Sequence, residues 1–439
     1  MGTLSYNLKM LWRLFGKRNP EFHRQVNELA EWRDMDTESR HVEQILKLAH
    51  TLTVAKKSVY YRDMLSNFKA KQNAIDFLKT LPYLEKEALR ARPELFLTGE
   101  KLTAPAYTSG TTGTPLQLRR SWRSIAREEA GFFSWYCQAG WRPGWPMIVL
   151  RGDLVTPQDR QVPPFGVHDF IGRRWVLSSY HMSDATLPWY VDTIRSSGSI
   201  FMSAYPSSAY ILAEYLWRKG LRPLQMRAVF LASETVSQEM IDLISEFIGP
   251  VHVQYGMAER VCWMTTCQAG CYHEDTSYGF TEYAPLGDGR YEIVATSFIN
   301  DAQPLIRYQT GDIAIGPFGW KDRCECGARG PGCRQILGRE DDLYVLPDGR
   351  KIGRLDHVFK AVPHIVAAQI IQHDLYHTEI IIVPDIHYEQ SSEKVIRGKF
   401  LERTSPDIAI QFTYRSFLPR TARGKFRAVV SKVAKDYHG

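Results

Sequence analysis

Between residues 147 and 256 the chain alternates short apolar segments with amphipathic segments of helical period. Strands are predicted at 147–150, at 228–232 and from His252, and a strand–helix unit is predicted over 200–219. Repeated strand–helix units favour a parallel α/β sheet with helices packed on its faces. Ligands of such sheets bind at the carboxyl ends of the strands. This region therefore predicts a large domain of parallel or mixed sheets with flanking helices.

Length and composition set the domain count. The chain has 439 residues, of which 44% are hydrophobic, enough for large cores in two domains. We predict a large N-terminal domain at 1–340 and a small, mobile C-terminal α+β domain at 341–439, with strands at 365–372 and 379–383 and a helix at 392–403. The net charge of +7 is small for this length and scattered, so no nucleic-acid partner is expected.

A polar loop rich in glycine and hydroxyl side chains separates two predicted strands. It consists of Thr108, Ser109, Gly110, Thr111, Thr112 and Gly113, followed by Thr114 and Pro115. Consecutive backbone N–H groups beside hydroxyls form a concavity suited to phosphate oxygens. No Gly-Lys-Ser/Thr follows, so this is not a Walker loop. From composition alone, a plain hairpin loop remains an equal alternative.

Four further segments carry aromatic or charged residues that could contact a ligand. Tyr255 and Glu259 place an aromatic face and a carboxylate four residues apart at a strand end, which suits a purine and a hard cation. Asp312 closes a Tyr-x-Thr-Gly-Asp segment, and an aspartate can accept from both ribose hydroxyls. The segments Gly338-Arg339-x-Asp341-Asp342 and Arg420-Thr421-x-Arg423-Gly424-Lys425 follow in order.

The loop and these segments together resemble the motifs of adenylate-forming enzymes, that is, acyl-CoA synthetases, adenylation domains and luciferases. Many of those enzymes have Lys where this chain has Leu116. With Leu116 at this position the chain resembles the phenylacetate-CoA ligase-like branch, which includes proteins of capsular polysaccharide gene clusters. The resemblance covers residues 107–425.

The resemblance implies a role for each matching residue. Thr108, Glu259 and Lys425 are the expected catalytic residues, with Glu259 holding Mg²⁺ between the phosphates and Asp341 acting as the interdomain hinge. The nucleotide-binding residues are expected to be Ser109, Gly110, Thr111, Thr112, Gly113, Ser233, Glu234, Tyr255, Gly256, Met257, Asp312 and Arg339. The acid pocket is expected to include Tyr136, Tyr205, Ser207 and Ala258. Ala258 stands where threonine is usual, so one hydroxyl contact is absent.

These residues imply an ATP-dependent ligase that converts a carboxylic acid into an acyl adenylate and then passes the acyl group to CoA. Transfer to a carrier protein or an amine, in polysaccharide or secondary metabolite biosynthesis, is an alternative. A non-catalytic nucleotide-binding scaffold is a third interpretation, which the presence of Lys425, Glu259 and Asp312 disfavours. The residues leave open which acid is activated.

Six of the seven cysteines lie between Cys262 and Cys333. Cys267, His273, Cys324 and Cys326 offer three thiolates and one imidazole for tetrahedral Zn²⁺. Cys271 and Cys333 are further candidate ligands, and buried free thiols are the alternative to a metal. Phenylacetate-CoA ligase-like sequences show a similar Cys and His arrangement, which implies a structural zinc.

Near the N-terminus, residues 4–18 have the pattern of a basic amphipathic helix. Leu4, Leu8, Leu11 and Phe15 recur at helical spacing, with basic residues between them. The helix is expected to pack on its own protein, and peripheral contact with an anionic membrane is the alternative. The apolar run is too short for a transmembrane helix or a signal peptide, so we expect a cytoplasmic protein. The oligomeric state stays open.

Overall fold

The computed structural model describes residues 7, 19–69, 73–107, 116–153, 155–157, 160–179, 181–339, 344–347, 351–352, 355–359, 362, 364–418 and 429–433. In these ranges the α-helices are α1 Pro20–Asp34, α2 Thr37–Ala55, α3 Ala74–Thr80, α4 Lys86–Ala91, α5 Trp122–Gln138, α6 Leu187–Ser196, α7 Pro206–Arg218, α8 Gln238–Phe247 and α9 Ser392–Arg403. The strands of the large N-terminal part are β1 Thr103–Tyr107, β2 Gln117–Ser121, β3 Met147–Arg151, β4 Gly166–Asp169, β5 Arg174–Ser178, β6 Phe201–Ala204, β7 Ala228–Ala232, β8 Val251–Gly256, β9 Trp263–Thr266, β10 Tyr272–Glu274, β11 Gly279–Gly287, β12 Arg290–Ser297, β13 Tyr308–Phe318 and β14 Gly332–Arg339. The later strands are β15 Tyr344–Val345, β16 Lys351–Ile352, β17 Ile365–Gln372, β18 His377–Pro384, β19 Ala409–Tyr414 and β20 Val429–Ser431.

Among the described residues, one mixed sheet of 12 strands organises the large part of the chain, in the order β11-β12-β13-β14-β10-β9-β8-β7-β6-β3-β5-β4. The run from β8 to β5 is parallel. The run from β8 to β11 is antiparallel throughout. The predicted α/β class is therefore confirmed, with the parallel strands where the strand–helix alternation placed them.

The parallel strands are apolar on both faces because helices cover both. All five residues of β7 are buried. Phe230 packs with Trp135 of α5 on one face, whereas Val229 packs with Leu212 of α7 and Ile244 of α8 on the other. Successive side chains of a strand point to opposite faces, so a continuous apolar run is what a doubly covered strand requires.

Helix α5 has a capped N-terminus. Ser121 lies at its N-cap, and its hydroxyl accepts a hydrogen bond from the Ser124 N–H at 3.1 Å. The helix follows β2 directly, and β2 pairs with β1 in an antiparallel hairpin in which Tyr107 is opposite Gln117. The predicted strand pair around the polar loop is thus present.

A separate four-stranded sheet, β19-β18-β17-β20, forms the small C-terminal part. Its own core contains Ile370, Ile380 and Ile382 from the sheet and Ile396 and Phe400 from α9. This arrangement confirms the predicted small C-terminal α+β fold. The predicted boundary at Asp341 lies outside the described residues.

Of the predicted N-terminal helix, residues 4–18, the structure describes Asn7 alone. The Asn7 amide donates to the His168 carbonyl at 2.9 Å, and its Oδ1 accepts from the Phe170 N–H at 2.9 Å. Asn7 therefore contacts the end of the edge strand β4. Among the helices in the described ranges, none is long and apolar enough to cross a membrane.

A partly buried carboxyl on α7 predicts a pH-dependent stability. Burial raises the pKa of Glu214 to about 7, with Arg218 opposing and Asp184 adding to the shift. The folded state thus holds a proton that the unfolded state releases near pH 4.5, so stability falls as the pH rises from about 4.5 to 7. The glutamine of Glu214→Gln carries no titrating proton, so its free energy of unfolding should not fall in this way. We expect the variant to be more stable than wild type by about 1–3 kcal/mol at pH 8.

Thermal and urea unfolding at pH 4.5 and pH 8 measure this effect. The variant and wild type should converge at pH 4.5, where Glu214 is protonated in the folded state. Glu246→Gln, on the exposed face of α8, is the matched control and should show no pH-dependent gain. Equal stability of Glu214→Gln and wild type at pH 8 would contradict the prediction.

Candidate active site

A tight turn follows β8 at the carboxyl edge of the sheet. The Arg260 N–H donates to the Met257 carbonyl at 3.1 Å, and Arg260 has a positive φ of 57°. Two arginines hold this turn against the start of α5. Arg260 Nη1 donates to the Ser124 carbonyl at 2.8 Å, and Arg120 Nη2 donates to the Ala258 carbonyl at 2.6 Å. Ala258 lacks the hydroxyl of the usual threonine, and the hydrogen bond from Arg120 fixes its backbone.

The turn buries Glu259, whose exposed fraction is 6%. The Tyr308 hydroxyl donates to Glu259 Oε1 at 3.0 Å, and Lys86 Nζ lies 3.6 Å from the same oxygen. Lys86 reaches this place because Leu84, two residues earlier, pairs with Tyr308 in a parallel bridge. A carboxylate and an ammonium at one edge suit a magnesium–phosphate group.

Sequence reasoning missed Lys86 as a site residue. Its signal was present in Leu81-Pro82-Tyr83-Leu84-x-Lys86, which resembles a segment before the phosphate loop in the phenylacetate-CoA ligase-like branch. That segment alone has no residue pattern that implies a ligand, and only the bridge to β13 brings it to Glu259.

Tyr255 and Asp312 form the second pair at this edge. The Tyr255 hydroxyl donates to Asp312 Oδ2 at 2.7 Å. Burial and the Asp312 charge raise the pKa of Tyr255 well above its usual value, so the phenol is a neutral donor. Asp312 lies opposite Arg339 in the β13–β14 ladder. The residues predicted for adenine and the nucleotide cation lie on β8 and in the turn after it, and the residue predicted for ribose lies on β13, within hydrogen-bond distance of Tyr255.

Ser233, Glu234 and Thr235 approach the same region from the end of β7. Ser233 has a positive φ of 78°, which is uncommon for a residue with a Cβ. The Glu234 Oε2 accepts from the Ser207 N–H at 2.9 Å, in the first turn of α7. Gly338 leaves room for this segment, because a Cβ there would lie 2.5 Å from Thr235 Oγ1.

Two of the predicted acid-pocket residues, Tyr136 and Tyr205, lie near the ends of β3 and β6. The Tyr136 hydroxyl lies 3.2 Å from Ser203 Oγ, and Arg151 Nη2 donates to the same Ser203 oxygen at 2.6 Å. Tyr205 follows β6, its N–H donates to the Leu150 carbonyl at 3.0 Å, and burial raises the pKa of its phenol. Arg151 and Ser203 were not predicted from sequence.

Other predicted site residues lie outside the described ranges. They are Thr108, Ser109, Gly110, Thr111, Thr112, Gly113, Asp341 and Lys425, and the Arg339 side chain is likewise not described.

Cys267, His273, Cys324 and Cys326 form a cluster in which the four ligand atoms all lie within 4.8 Å of one another. Cys267 Sγ and Cys324 Sγ are 3.8 Å apart, and Cys326 Sγ is 3.5 Å from His273 Nε2. Tetrahedral Zn²⁺, with bonds of about 2.3 Å to sulfur and about 2.0–2.1 Å to nitrogen, requires separations of about 3.8 and 3.6 Å. The donor atoms and their spacing therefore fit a zinc ion.

Two turns and one strand position the cluster. The Gly270 N–H donates to the Cys267 carbonyl at 3.0 Å, and the Gly327 N–H donates to the Cys324 carbonyl at 2.8 Å. Both glycines have positive φ, as tight turns around ligating cysteines require. His273 lies on β10, and burial lowers its pKa, which favours the neutral imidazole. All seven cysteines are free of disulfides.

Comparison with known proteins agrees with the geometry. Residues 345–432 match the family model of the CapK C-terminal domain. The chain is 25% identical over 327 residues to a phenylacetate-coenzyme A ligase of Thermus thermophilus, covering 66% of this chain and 68% of the relative.

Solved structures of 2-hydroxyisobutyryl-CoA ligase share the fold. The postadenylation state in complex with 2-HIB-AMP matches with a TM-score of 0.66 and 18% identity, over 88% of this chain and 89% of the other. The thioesterification state with 2-HIB-AMP and CoA matches with a TM-score of 0.55 and 18% identity, over 92% of each chain. The chain is therefore a homologue of phenylacetate-coenzyme A ligase, with the fold of the adenylate-forming acyl-CoA ligases and a CapK-type C-terminal domain.

Proposed function

We propose that this protein is an ATP-dependent carboxylic acid ligase that forms an acyl adenylate and transfers the acyl group to CoA. The observation that carries the proposal is the environment of Glu259, a buried carboxylate that accepts from Tyr308 and faces Lys86. The Tyr255–Asp312 pair lies on the same edge and suits a nucleoside. The similarity to a phenylacetate-coenzyme A ligase and the shared fold with a CoA-bound 2-hydroxyisobutyryl-CoA ligase support the CoA step.

In the first step a substrate carboxylate oxygen forms a bond to the α-phosphorus of ATP, and the bond to the pyrophosphate oxygen breaks. Mg²⁺, when bound, would neutralise charge on the phosphates, and Glu259 is the residue that would hold it. Lys86 supplies a further positive charge at the same place. Charge neutralisation and alignment of the reactants are what such a phosphoryl-centred reaction requires of the protein. In the second step a thiol replaces AMP on the acyl carbon.

Transfer to a carrier protein or an amine is the second candidate. The match of residues 345–432 to the CapK C-terminal domain is compatible with either acceptor. Supplying CoA, a pantetheine-bearing carrier protein or an amine to the preformed adenylate distinguishes these acceptors.

Acid-dependent exchange of labelled pyrophosphate into ATP is the expected result for wild type and tests the proposal. Asp312→Ala should weaken ATP binding by about tenfold or more, because the ribose loses a charged acceptor. Tyr255→Phe, which removes only the hydroxyl that orients Asp312, should have a smaller effect. ATP binding without exchange for any acid in a broad panel would favour the non-catalytic scaffold instead.

We also propose that the cluster of Cys267, His273, Cys324 and Cys326 holds one structural zinc. A closed site of four protein ligands leaves no position for substrate. Protein purified without added metal should contain about one zinc per chain by elemental analysis. Cys324→Ser should destabilise the fold by about 3 kcal/mol or more, because structural zinc contributes folding energy.

Cys137→Ser is the matched control, since Cys137 forms no disulfide and lies outside the cluster. It should keep both its zinc and its thermal midpoint. Zinc-free protein with an unchanged midpoint and titratable thiols at all four positions would contradict the zinc proposal.

A further inference from the structure

Arg151 is the last residue of β3 and lies at the carboxyl edge of the parallel strands. In β3, Ile148 and Leu150 pack with the α7–α8 side of the sheet, and Met147 packs with the α5 side. By the two-residue alternation of a strand, Arg151 points to the α5 side. Ser203 points to the same side, because it follows Phe201 of that core at an interval of two.

The Arg151 guanidinium is half-buried, and within the described ranges its hydrogen bond runs from Nη2 to Ser203 Oγ. Its Nε is buried without a hydrogen-bond partner. Among the residues that the structure describes, no carboxylate forms an ion pair with it. Three other arginines of the large part differ in this respect. Arg127, Arg260 and Arg307 are more deeply buried, and they pair with Asp275, Glu128 and Glu282, respectively.

A half-buried guanidinium that faces no carboxylate has lost part of its hydration without full compensation. A single bond to a serine hydroxyl does not require a permanent charge or a planar fork of donors. The guanidinium is suited to a ligand with two acceptor oxygens, since its fork matches a carboxylate in a bidentate geometry.

An aromatic wall, formed by Phe132 and Trp263, connects Arg151 with the turn that carries Glu259. The Arg151 guanidinium lies 5.7 Å from the ring centroid of Phe132, and that ring meets Trp263 edge-to-face at 4.8 Å. Trp263 pairs with Gly256, where the turn that carries Glu259 begins. A molecule lying along this wall, with its reacting carboxylate near the turn, would present its other end to Arg151.

We propose that Arg151 binds a second carboxylate on the acid that this protein activates, so that dicarboxylic acids are its substrates. This inference rests on the proposed ligase function and narrows its substrate class. Phe132 and Tyr136 then contact the carbon chain or ring between the two carboxylates, and Ser203 orients the guanidinium. An acid with a single carboxylate would leave the Arg151 guanidinium without a carboxylate to bind.

The experiment compares matched acids that differ by one carboxylate: butyrate with succinate, benzoate with terephthalate, and phenylacetate with 4-carboxyphenylacetate. The kcat/KM of pyrophosphate exchange is measured for wild type, Arg151→Met and Arg151→Lys. The matched control is Arg142→Met, which alters an exposed arginine stacked on Trp145.

Wild type should prefer at least one dicarboxylate over its partner by about tenfold to a hundredfold, the value of a hydrogen-bonded charge pair. Arg151→Met should abolish that preference, lowering kcat/KM for the diacid by about tenfold or more relative to the monoacid. Arg151→Lys keeps the charge without the fork and should lose part of the preference. It also replaces the methionine variant as the test if the latter does not fold.

Activity with monocarboxylates alone, or an unchanged preference in Arg151→Met, would overturn the substrate assignment and leave the ligase function intact. Absence of exchange with every acid would overturn the ligase function itself. In that case calorimetric titration of the dicarboxylates, in the presence of ATP, still decides the role of Arg151. Equal affinities for wild type and Arg151→Met would refute it, and a loss of tenfold or more would support it.

Discussion

Glu259→Gln is expected to lower the rate of acyl-adenylate formation by about a hundredfold or more. The amide keeps the shape of the side chain and can still accept from the Tyr308 hydroxyl, but it removes the negative charge. The Lys86 ammonium lies 3.6 Å from Glu259, beyond direct hydrogen-bond distance. A bound Mg²⁺ would lose the carboxylate expected to hold it, and Lys86 would lose a negative charge 3.6 Å away.

Single-turnover formation of the adenylate, measured with a saturating acid, is the direct test. Glu28→Gln is the matched control, because Glu28 pairs with Lys47 at 2.7 Å on α1 and α2 and has no expected role in catalysis. Both variants should remain folded. A rate for Glu259→Gln within tenfold of wild type would show that the buried carboxylate is structural.

Lys425→Ala is expected to separate the two half-reactions. The resemblance to adenylate-forming enzymes implies that this lysine serves adenylation alone, and it lies outside the described residues. Loss of an ammonium beside developing phosphoryl charge in a dry site costs several kcal/mol, so adenylation should fall by about a hundredfold or more. Given a preformed acyl adenylate and the correct acceptor, the variant should form product at nearly the wild-type rate.

Lys432→Ala is the control for a charge change on the same small part of the chain. Lys432 is exposed and its Nζ lies 3.0 Å from the His373 ring nitrogen Nδ1, so both half-reactions should persist in this variant. Equal losses in the two half-reactions of folded Lys425→Ala would mean that the lysine does not act in adenylation alone.

Local sequence determined the elements because their causes are local. The apolar run 228–232 in a strand–helix alternation predicted a strand, and β7 has those bounds. Ser121 could cap a helix whatever packs above it, since capping needs only the next few N–H groups. The predicted strand at 365–372 and the predicted helix at 392–403 match β17 and α9 for the same reason. Their periodicities are readable within one segment.

Tertiary structure alone decided which side chains meet. Lys86 and Glu259 are brought together by the pairing of Leu84 with β13. No sequence periodicity or motif spacing relates these two residues. Arg151, Ser203 and Tyr136 come from β3, β6 and α5, and they converge because alternate residues of adjacent parallel strands share one face. The cysteine spacing suggested a metal, but six thiols allow many ligand sets. The turns at Gly270 and Gly327 and the β10–β14 pairing bring the four named ligand atoms within 4.8 Å of one another.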